Sequence, residues 1–324
     1  MSEGKFLYLS RQDVEKVALD IHTIIQLLEN AFREKGYGRV EMPPKPGIHT
    51  QPDAFIHAMP AYIPSLHAAG VKWVSGYPQN PQKGLPYISG LLILNDEESG
   101  IPIAVMDCTW ITAYRTGAAT AISAKYLARP DSEVVGIIAC GVQGRTNLEA
   151  LSTLFAIKRV YAYDINAQAQ EKYIQEMRQK FDFEIIGVRT LRDAVVQSDI
   201  VITSGPILKN PQPTIEKDWL PPGAFVSAMD FDSYWKGEAL AQIDKLSTDD
   251  LAQWDYYRSI GYFQNSPRPY ADLGEIVIGK KPAREKPTER TMAMNLGLAM
   301  DDIAVAPSIY RAAMALGIGT WLPL

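Results

Sequence analysis

The run Val134-Val135-Gly136-Ile137-Ile138-Ala139-Cys140-Gly141-Val142-Gln143-Gly144-Arg145 decides how this chain is read. An apolar strand, Val134 to Ala139, enters a glycine-containing turn, and a helix-compatible stretch continues from Arg145 to Leu154. Glycine in such a turn lets backbone N–H groups approach a pyrophosphate at the positive end of a helix. Ala139 stands where a G-x-G-x-x-G fingerprint would begin, so the turn taken alone also fits an ordinary strand-to-helix connection. Asp164 ends the next strand-like run, about 20 residues on. A carboxylate there accepts hydrogen bonds from both ribose hydroxyls and repels a 2′-phosphate, which favours NAD over NADP. The plainer alternative for Asp164 is a surface turn residue ahead of Asn166.

Outward from this motif, short apolar strands alternate with helical patterns: Val134 to Ala139, Val160 to Tyr163, Glu184 to Val188, Ile200 to Thr203 and Ala224 to Ala228. Alternation of this kind predicts an α/β fold, a Rossmann-type parallel sheet with helices on its faces. Upstream, between about Ile48 and Met106, apolar runs are broken by Gly and Pro. Leu91 to Leu94 and Ile101 to Met106, around Asn95 to Gly100, predict a hairpin in an antiparallel or mixed sheet. Ser10 with Asp13 reads as a helix start, and Val14, Val17, Ile21, Ile24, Leu28 and Phe32 follow at helical spacing, predicting one amphipathic helix. The last helical stretch, Leu296 to Leu316, has no place in the parallel sheet and is expected to pack on the first region.

A chain of 324 residues suits two domains sharing one cleft, and a 47% apolar content is enough to build both cores. The formal net charge of -5 disfavours nucleic acid as a partner. Cys108 and Cys140 lie in apolar surroundings without CxxC spacing, which fits buried thiols in a reducing compartment, the cytoplasm by default. No stretch approaches the about 18 apolar residues of a membrane span, and the N-terminus lacks an export signal. His22, His49 and His67 form no metal-like spacing with the carboxylates, so no metal site is expected.

Three charged residues outside the phosphate loop draw notice. Lys72, in Gly70-Val71-Lys72-Trp73-Val74-Ser75, is either an edge-strand lysine or one with a purpose. Arg115 opens the small-residue run Thr116-Gly117-Ala118-Ala119, where an arginine can grip a carboxylate with two parallel hydrogen bonds; a helix-surface arginine is the alternative. Asp232 follows the strand ending at Ala228, at the carboxyl end where parallel sheets place ligands, with Asp230 a rival for its role.

Together Val71 to Ser75, Gly90 to Asp96, Thr109 to Ala121, Gly141 to Arg145, Gly223 to Asp232 and Gly297 to Asp302 resemble the ornithine cyclodeaminase and mu-crystallin family, nearly end to end. The resemblance implies an NAD-dependent enzyme of amino or imino acids. It also implies a smaller α+β domain, 1–112 with 303–324, that binds substrate and forms a homodimer, beside an NAD-binding domain, 113–302. Residue by residue, it assigns Lys72 and Arg115 to the substrate carboxylate, with Lys45 a looser third, and Asp232 to acid–base catalysis. Thr116, Gly141, Val142, Gln143, Asp164, Lys236 and Asn295 fall where relatives meet the dinucleotide, and Leu296 falls beside the substrate.

Such a set gives a mechanism if Lys72, Arg115 and Asp232 converge on one pocket. The cations orient the α-carbon for hydride transfer, and ionised Asp232 takes a proton from the amine and stabilises the iminium. Attack by water then makes a dehydrogenase, attack by a side-chain amine a cyclodeaminase, and the reverse direction an imine reductase. Where ornithine-using members carry an acid, this chain has His57, which reads either as a polar core residue or as a contact for a distal substrate group. Tyr87 replaces a threonine, and Trp73 and Trp235 are expected to add bulk near the pocket. An amino acid dehydrogenase or ketimine reductase is therefore favoured over an ornithine cyclodeaminase. The alternative from another class is a cofactor-dependent small-molecule binder of mu-crystallin type.

Overall fold

A computed structural model describes residues 4–324, and the chain divides into two compact units, Met1–Arg115 with Gly297–Leu324, and Thr116–Leu296. The first unit begins with β1 (Lys5–Leu9), α1 (Arg11–Val17), α2 (Ile21–Gly36), β2 (Gly47–Ile48), β3 (Phe55–Ile63), β4 (Ala68–Gly76), β5 (Ile88–Asn95) and β6 (Pro102–Asp107). The single helix expected from Ser10 to Phe32 is two. Ser10 and Asp13 do form a capping box on α1, but Ala18 turns left-handed at φ 41 and Asp20 caps a new helix through the Thr23 N–H. Apolar spacing carries across the break because both helices bury the same kind of face, with Val14 in α1 and Ile24, Leu28 and Phe32 in α2. The expected hairpin is β5 and β6, antiparallel around Asp96–Ile101.

Helix α3 (Thr109–Leu127) carries the chain into the second unit. There follow β7 (Val134–Ile138), α4 (Val142–Ser152), β8 (Arg159–Tyr163), α5 (Ala167–Lys180), β9 (Glu184–Gly187), α6 (Leu191–Val196) and β10 (Ile200–Thr203). The unit continues with β11 (Phe225–Ala228), α7 (Gly237–Leu240), β12 (Lys245–Thr248), α8 (Leu251–Ser259), β13 (Ala271–Asp272), α9 (Leu273–Val277) and β14 (Thr291–Met294). All eight strands pair in parallel, in the order β13-β12-β14-β11-β10-β7-β8-β9. The five strands read from the sequence are present; β12, β13 and β14 extend the sheet beyond them, too short and too polar at Lys245-Leu246-Ser247-Thr248 to be read as an apolar run. Side chains alternate across each strand, so Ile137, Ile202 and Phe225 enter one core with α4 and α5, while Ile138, Val201 and Val226 enter another with α6 and α8. The strand order reverses between β10 and β8 at β7, the topological switch beside which such sheets bind ligands.

The chain then returns to the first unit as α10 (Ala299–Leu316) and β15 (Thr320–Pro323). α10 lies against β3, β4 and α2, as expected of the last helical stretch. The sheet of this unit has the order β15-β1-β6-β5-β4-β3-β2, which makes β4, the strand of Lys72, an interior strand and not an edge. Cys108 and Cys140 are free thiols and buried. Among the described residues no helix is long and apolar enough to cross a membrane, and no group of His, Cys, Asp and Glu is placed to hold a metal ion.

At the switch point, Ala139 has φ 73, the left-handed conformation that glycine adopts freely and an L-residue adopts at a cost of about 1–2 kcal/mol. The glycine missing from the fingerprint is thus missing from its sequence and not from its backbone. Ala139→Gly is expected to leave stability unchanged or raise it by up to about 1 kcal/mol, since part of the relief is offset by the freer unfolded chain. Ala139→Val is expected to lower it by more than about 1 kcal/mol. Urea unfolding midpoints of the two variants check this; a destabilised glycine variant would show that the left-handed turn is unstrained.

Candidate active site

In the first unit, four charged side chains interlock. Lys72 sits on β4 opposite Met59 of β3 and Leu92 of β5, on the inward face of the sheet, and is 1% exposed. Its Nζ lies 2.5 Å from Asp302 Oδ2 and donates to Thr112 Oγ1 at 3.4 Å. Arg115 donates from Nε to Asp302 Oδ1 at 3.2 Å and from Nη1 to Asp301 Oδ2 at 3.4 Å. Both aspartates stand in the first turn of α10, where Asp301 also accepts the Leu298 N–H at 3.0 Å. Gly297, just before α10, has φ 76, and a Cβ there would lie 2.7 Å from Arg115 Nη1, so the guanidinium occupies the space of an absent side chain. The Gly297 carbonyl accepts a hydrogen bond from Lys45 Nζ at 3.0 Å.

Lys72 and Arg115 are thus gathered against the two carboxylates of Asp301 and Asp302, with Lys45 on the Gly297 carbonyl just before them, and all three cations are buried. Burial pulls the Lys72 amine below its ordinary pKa, and the Asp302 carboxylate opposes that pull. Arg115 is not the helix-surface arginine that its sequence alone allowed. His57, on β3, joins the same neighbourhood: its ring stacks on Phe55 at 4.3 Å, and a Cβ on Gly47 would fall 2.3 Å from it. Burial first, then Lys45, His49 and Lys72, push His57 down to about 2, so the imidazole is neutral at any ordinary pH. One expectation is corrected: Trp73 follows Lys72 on the strand and so points to the opposite face, where it is 50% exposed. Trp235 is buried in a hydrophobic core of the second unit together with Leu296.

The second unit holds the remaining residues singled out in the sequence. Gly141 caps α4 without a side-chain hydrogen bond, and open space lies where its Cβ would stand. A Cβ on Gly144 would come within 2.9 Å of Ala139 O, so this position lets α4 close on β7. Val142 is exposed at the mouth of the turn, and the Gln143 amide oxygen accepts from Asn147 Nδ2 at 3.1 Å. Asp164 is fixed by two backbone donors, Cys140 N–H at 2.7 Å and Asn166 N–H at 2.8 Å. It lines a cavity of about 510 Å³ with Tyr163, Ile165, Gln170 and Arg189, and Ile165 stands 94% exposed there. Asn295 Nδ2 donates to Ser123 Oγ at 3.0 Å, whereas its Oδ1 is buried with no hydrogen-bond partner. A buried orphan acceptor costs about 1–3 kcal/mol unless something donates to it, as an amide group of a ligand would. Leu296 is held through its N–H by Asp249 Oδ1 at 2.9 Å, Thr116 lies partly exposed on α3, and Lys236 pairs with Glu216 at 2.7 Å.

Asp232 lies in the turn after β11 and is largely buried, which raises its carboxyl above the usual range; Ser266 Oγ donates to its Oδ2 at 3.1 Å and opposes the rise. No hydrogen bond from another described residue reaches Oδ1. Before it come Phe231, held at φ 63, a conformation that costs a bulky residue about 1–3 kcal/mol, and Asp230, whose carboxyl burial pushes up to about 7.

Asp301, Asp302, Gly297 and Ser266 went unnoticed as site residues in the sequence. The tandem acids in Leu298-Ala299-Met300-Asp301-Asp302-Ile303-Ala304 did carry a signal, since two carboxylates inside an apolar helix need cations. Ser266 carried none. Because the ion pair is buried, Asp302→Ala leaves Lys72 and Arg115 short of a counter-charge and is expected to cost about 3–5 kcal/mol in urea unfolding. A loss below about 1 kcal/mol, the range of exposed pairs, would mean that water reaches the cluster.

The sequence model of the ornithine cyclodeaminase/mu-crystallin family matches residues 6–316. The chain is 35% identical to an alanine dehydrogenase of Archaeoglobus fulgidus over 97% of each chain. Among solved structures, Thermococcus litoralis Delta(1)-pyrroline-2-carboxylate reductase, in complex with NADH and L-proline, is 34% identical with a TM-score of 0.88, over 97% of this chain and 99% of that one. An archaeal alanine dehydrogenase dimer with bound NAD is 32% identical with a TM-score of 0.88, over 99% of both chains. Sequence and fold therefore agree over nearly the whole length: the chain belongs to the ornithine cyclodeaminase/mu-crystallin family.

Proposed function

We propose that this protein is an NAD-dependent oxidoreductase acting at the α-carbon of an amino or imino acid. The observation that carries the reading is the buried cluster in which Lys72 and Arg115 meet the carboxylates of Asp301 and Asp302 while Lys45 reaches the Gly297 carbonyl beside them. A substrate carboxylate suits such a gathering of cations, and Arg115 offers it a planar, directional donor. NAD supplies a hydride acceptor and, reduced, a hydride donor. The second unit suits it: the N–H groups at Gly141 to Gln143 for the pyrophosphate, Asp164 for the ribose, and the orphan Asn295 Oδ1 for an amide. Thr116 and Lys236 are assigned to the same dinucleotide and Leu296 to the substrate side. Asp232, ionised, takes a proton from the amine in the oxidative direction and returns it in the reductive one, through the oxygen that other residues leave unused. Its negative charge stabilises the cationic imine carbon.

Neutral His57 narrows the choice of substrate. It gives a distal ammonium no counter-charge, which favours amino acid dehydrogenase or imine reductase chemistry over cyclodeamination of a diamine. We assign the unit Met1–Arg115 with Gly297–Leu324, slightly larger than the 1–112 with 303–324 expected from the sequence because it takes in Arg115, Asp301 and Asp302, to substrate binding and dimerisation, and Thr116–Leu296 to NAD. The half-exposed Trp73 and the exposed Leu91, neighbours on the face of the sheet turned away from Lys72, support a homodimer through this apolar surface. The cytoplasm is the proposed compartment.

Absorbance of NADH, followed with L-alanine and L-proline plus NAD and with pyruvate plus ammonium and NADH, tests the reading. Turnover on at least one pair is expected, and none on any despite NADH binding would make the protein a binder. Asp232→Asn is expected to lower that turnover about 100-fold or more with NADH affinity nearly unchanged; wild-type turnover would remove Asp232 from the reaction. Asp164→Ser is expected to shift preference towards NADP, and an unchanged preference would show that Asp164 does not meet the ribose.

A further inference from the structure

Asp230 is fully buried, and among the described residues no lysine or arginine pairs with it. Its oxygens instead accept hydrogen bonds from two groups at the end of the neighbouring strand, Oδ1 from Thr203 Oγ1 at 2.7 Å and Oδ2 from Gly205 N–H at 2.8 Å. Two such bonds could be made by a neutral side chain, so a buried carboxyl is an expensive way to join β10 to β11. What it joins is the segment that carries Asp232. Between the two aspartates, Phe231 is held left-handed by an aromatic box of Tyr257, Tyr262 and Phe263, with ring centroids 5.5, 5.7 and 4.7 Å away. A turn in that conformation relaxes unless its ends are held. Asp230 holds one end, and Ser266 meets the carboxylate at the other.

We propose that Asp230 is a positioning residue, which staples the strained turn after β11 to the end of β10 and so aims the Asp232 carboxylate. The proposal rests on the acid–base role assigned to Asp232. Asp230 does not exchange protons with substrate itself, because no part of it is exposed. Its effect is on the orientation of Asp232, and misplacement of a reacting group by about 1 Å can cost about 100-fold in rate.

The test uses full-length Asp230→Ala, Asp230→Asn, Thr203→Val and Asp232→Asn, assayed on the substrate pairs named above, with NADH affinity measured by fluorescence. Asp230→Ala should lower kcat about 10- to 100-fold while the NADH Kd stays within about twofold. Asp230→Asn, whose amide can accept from Gly205 and donate to Thr203, should recover kcat to within about threefold, and Thr203→Val should fall between the two. A crystal structure of Asp230→Ala should show the Asp232 carboxylate turned away from Ser266. An Asp232 still bonded to Ser266 there, or a kcat within twofold of wild type, overturns the proposal. So does an Asp230→Asn protein as slow as the alanine variant, because the charge would then be acting directly. Should Asp230→Ala not fold, wild-type kcat in Thr203→Val overturns it in the same way. Failure of the underlying reading is seen separately, as wild-type turnover in Asp232→Asn.

Discussion

A cation taken out of water needs a partner, and two cations side by side need partners fixed in geometry. In the first unit this constraint governs what surrounds β4. Lys72 points inward from an interior strand and Arg115 from the start of α3, so carboxylates have to come from whatever covers that face of the sheet. They come from α10, whose first turn delivers Asp301 and Asp302 together. The end of the chain is thereby committed to packing on its beginning. Even the approach to the helix is specified, since Arg115 lies where any side chain at position 297 would be. The same arrangement fixes the orientation of both cations in advance, which lowers the cost of binding an anion.

The second unit solves a different problem, which is to leave polar groups unused without leaving the fold unstable. Gly141 caps α4 with no side-chain hydrogen bond and open space beside it, and Asn295 buries an acceptor that nothing in the unit satisfies. Strain is stored nearby, at Ala139 in the turn before α4 and at Phe231 in the turn of Asp232, and each lies just beyond the carboxyl end of a parallel strand. Strain of this kind persists only where the surroundings over-determine it. Two full cores on either face of the sheet, and hydrogen bonds such as those of Asp164 and Asp230, supply that surplus.

His57 takes its charge state from the cluster. Its neutrality does not follow from the residue type, because an exposed histidine titrates near neutral pH. It follows from burial beside Lys45 and Lys72, so the cluster that suits a carboxylate also fixes the character of its neighbour. Among relatives that share the framework, one buried side chain in such a place can change which substrate is accepted without disturbing the carboxylate grip.

The sequence by itself determined whatever depends on near neighbours. Apolar runs and their spacing announced the first five parallel strands, the β5–β6 hairpin and the final helix, while the turn at Gly141 and the run around Arg115 announced the family. It also named the cations, since a lysine in an apolar strand stands out. What only the tertiary structure decided is which groups meet and which way they face. The partners of Arg115 lie 186 and 187 residues downstream in α10 and that of Lys72 farther still, and no periodicity encodes a contact of that range. Trp73 was read as pocket bulk although strand alternation sends it to the other side of the sheet from Lys72. The break at Ala18 was hidden because two helices in succession can keep one apolar rhythm, and Ser266 was invisible because a loop serine acquires a role only from the carboxylate folded against it. Local pattern follows from backbone geometry, which acts over a few residues; charge compensation and orientation follow from packing, which acts across the whole unit.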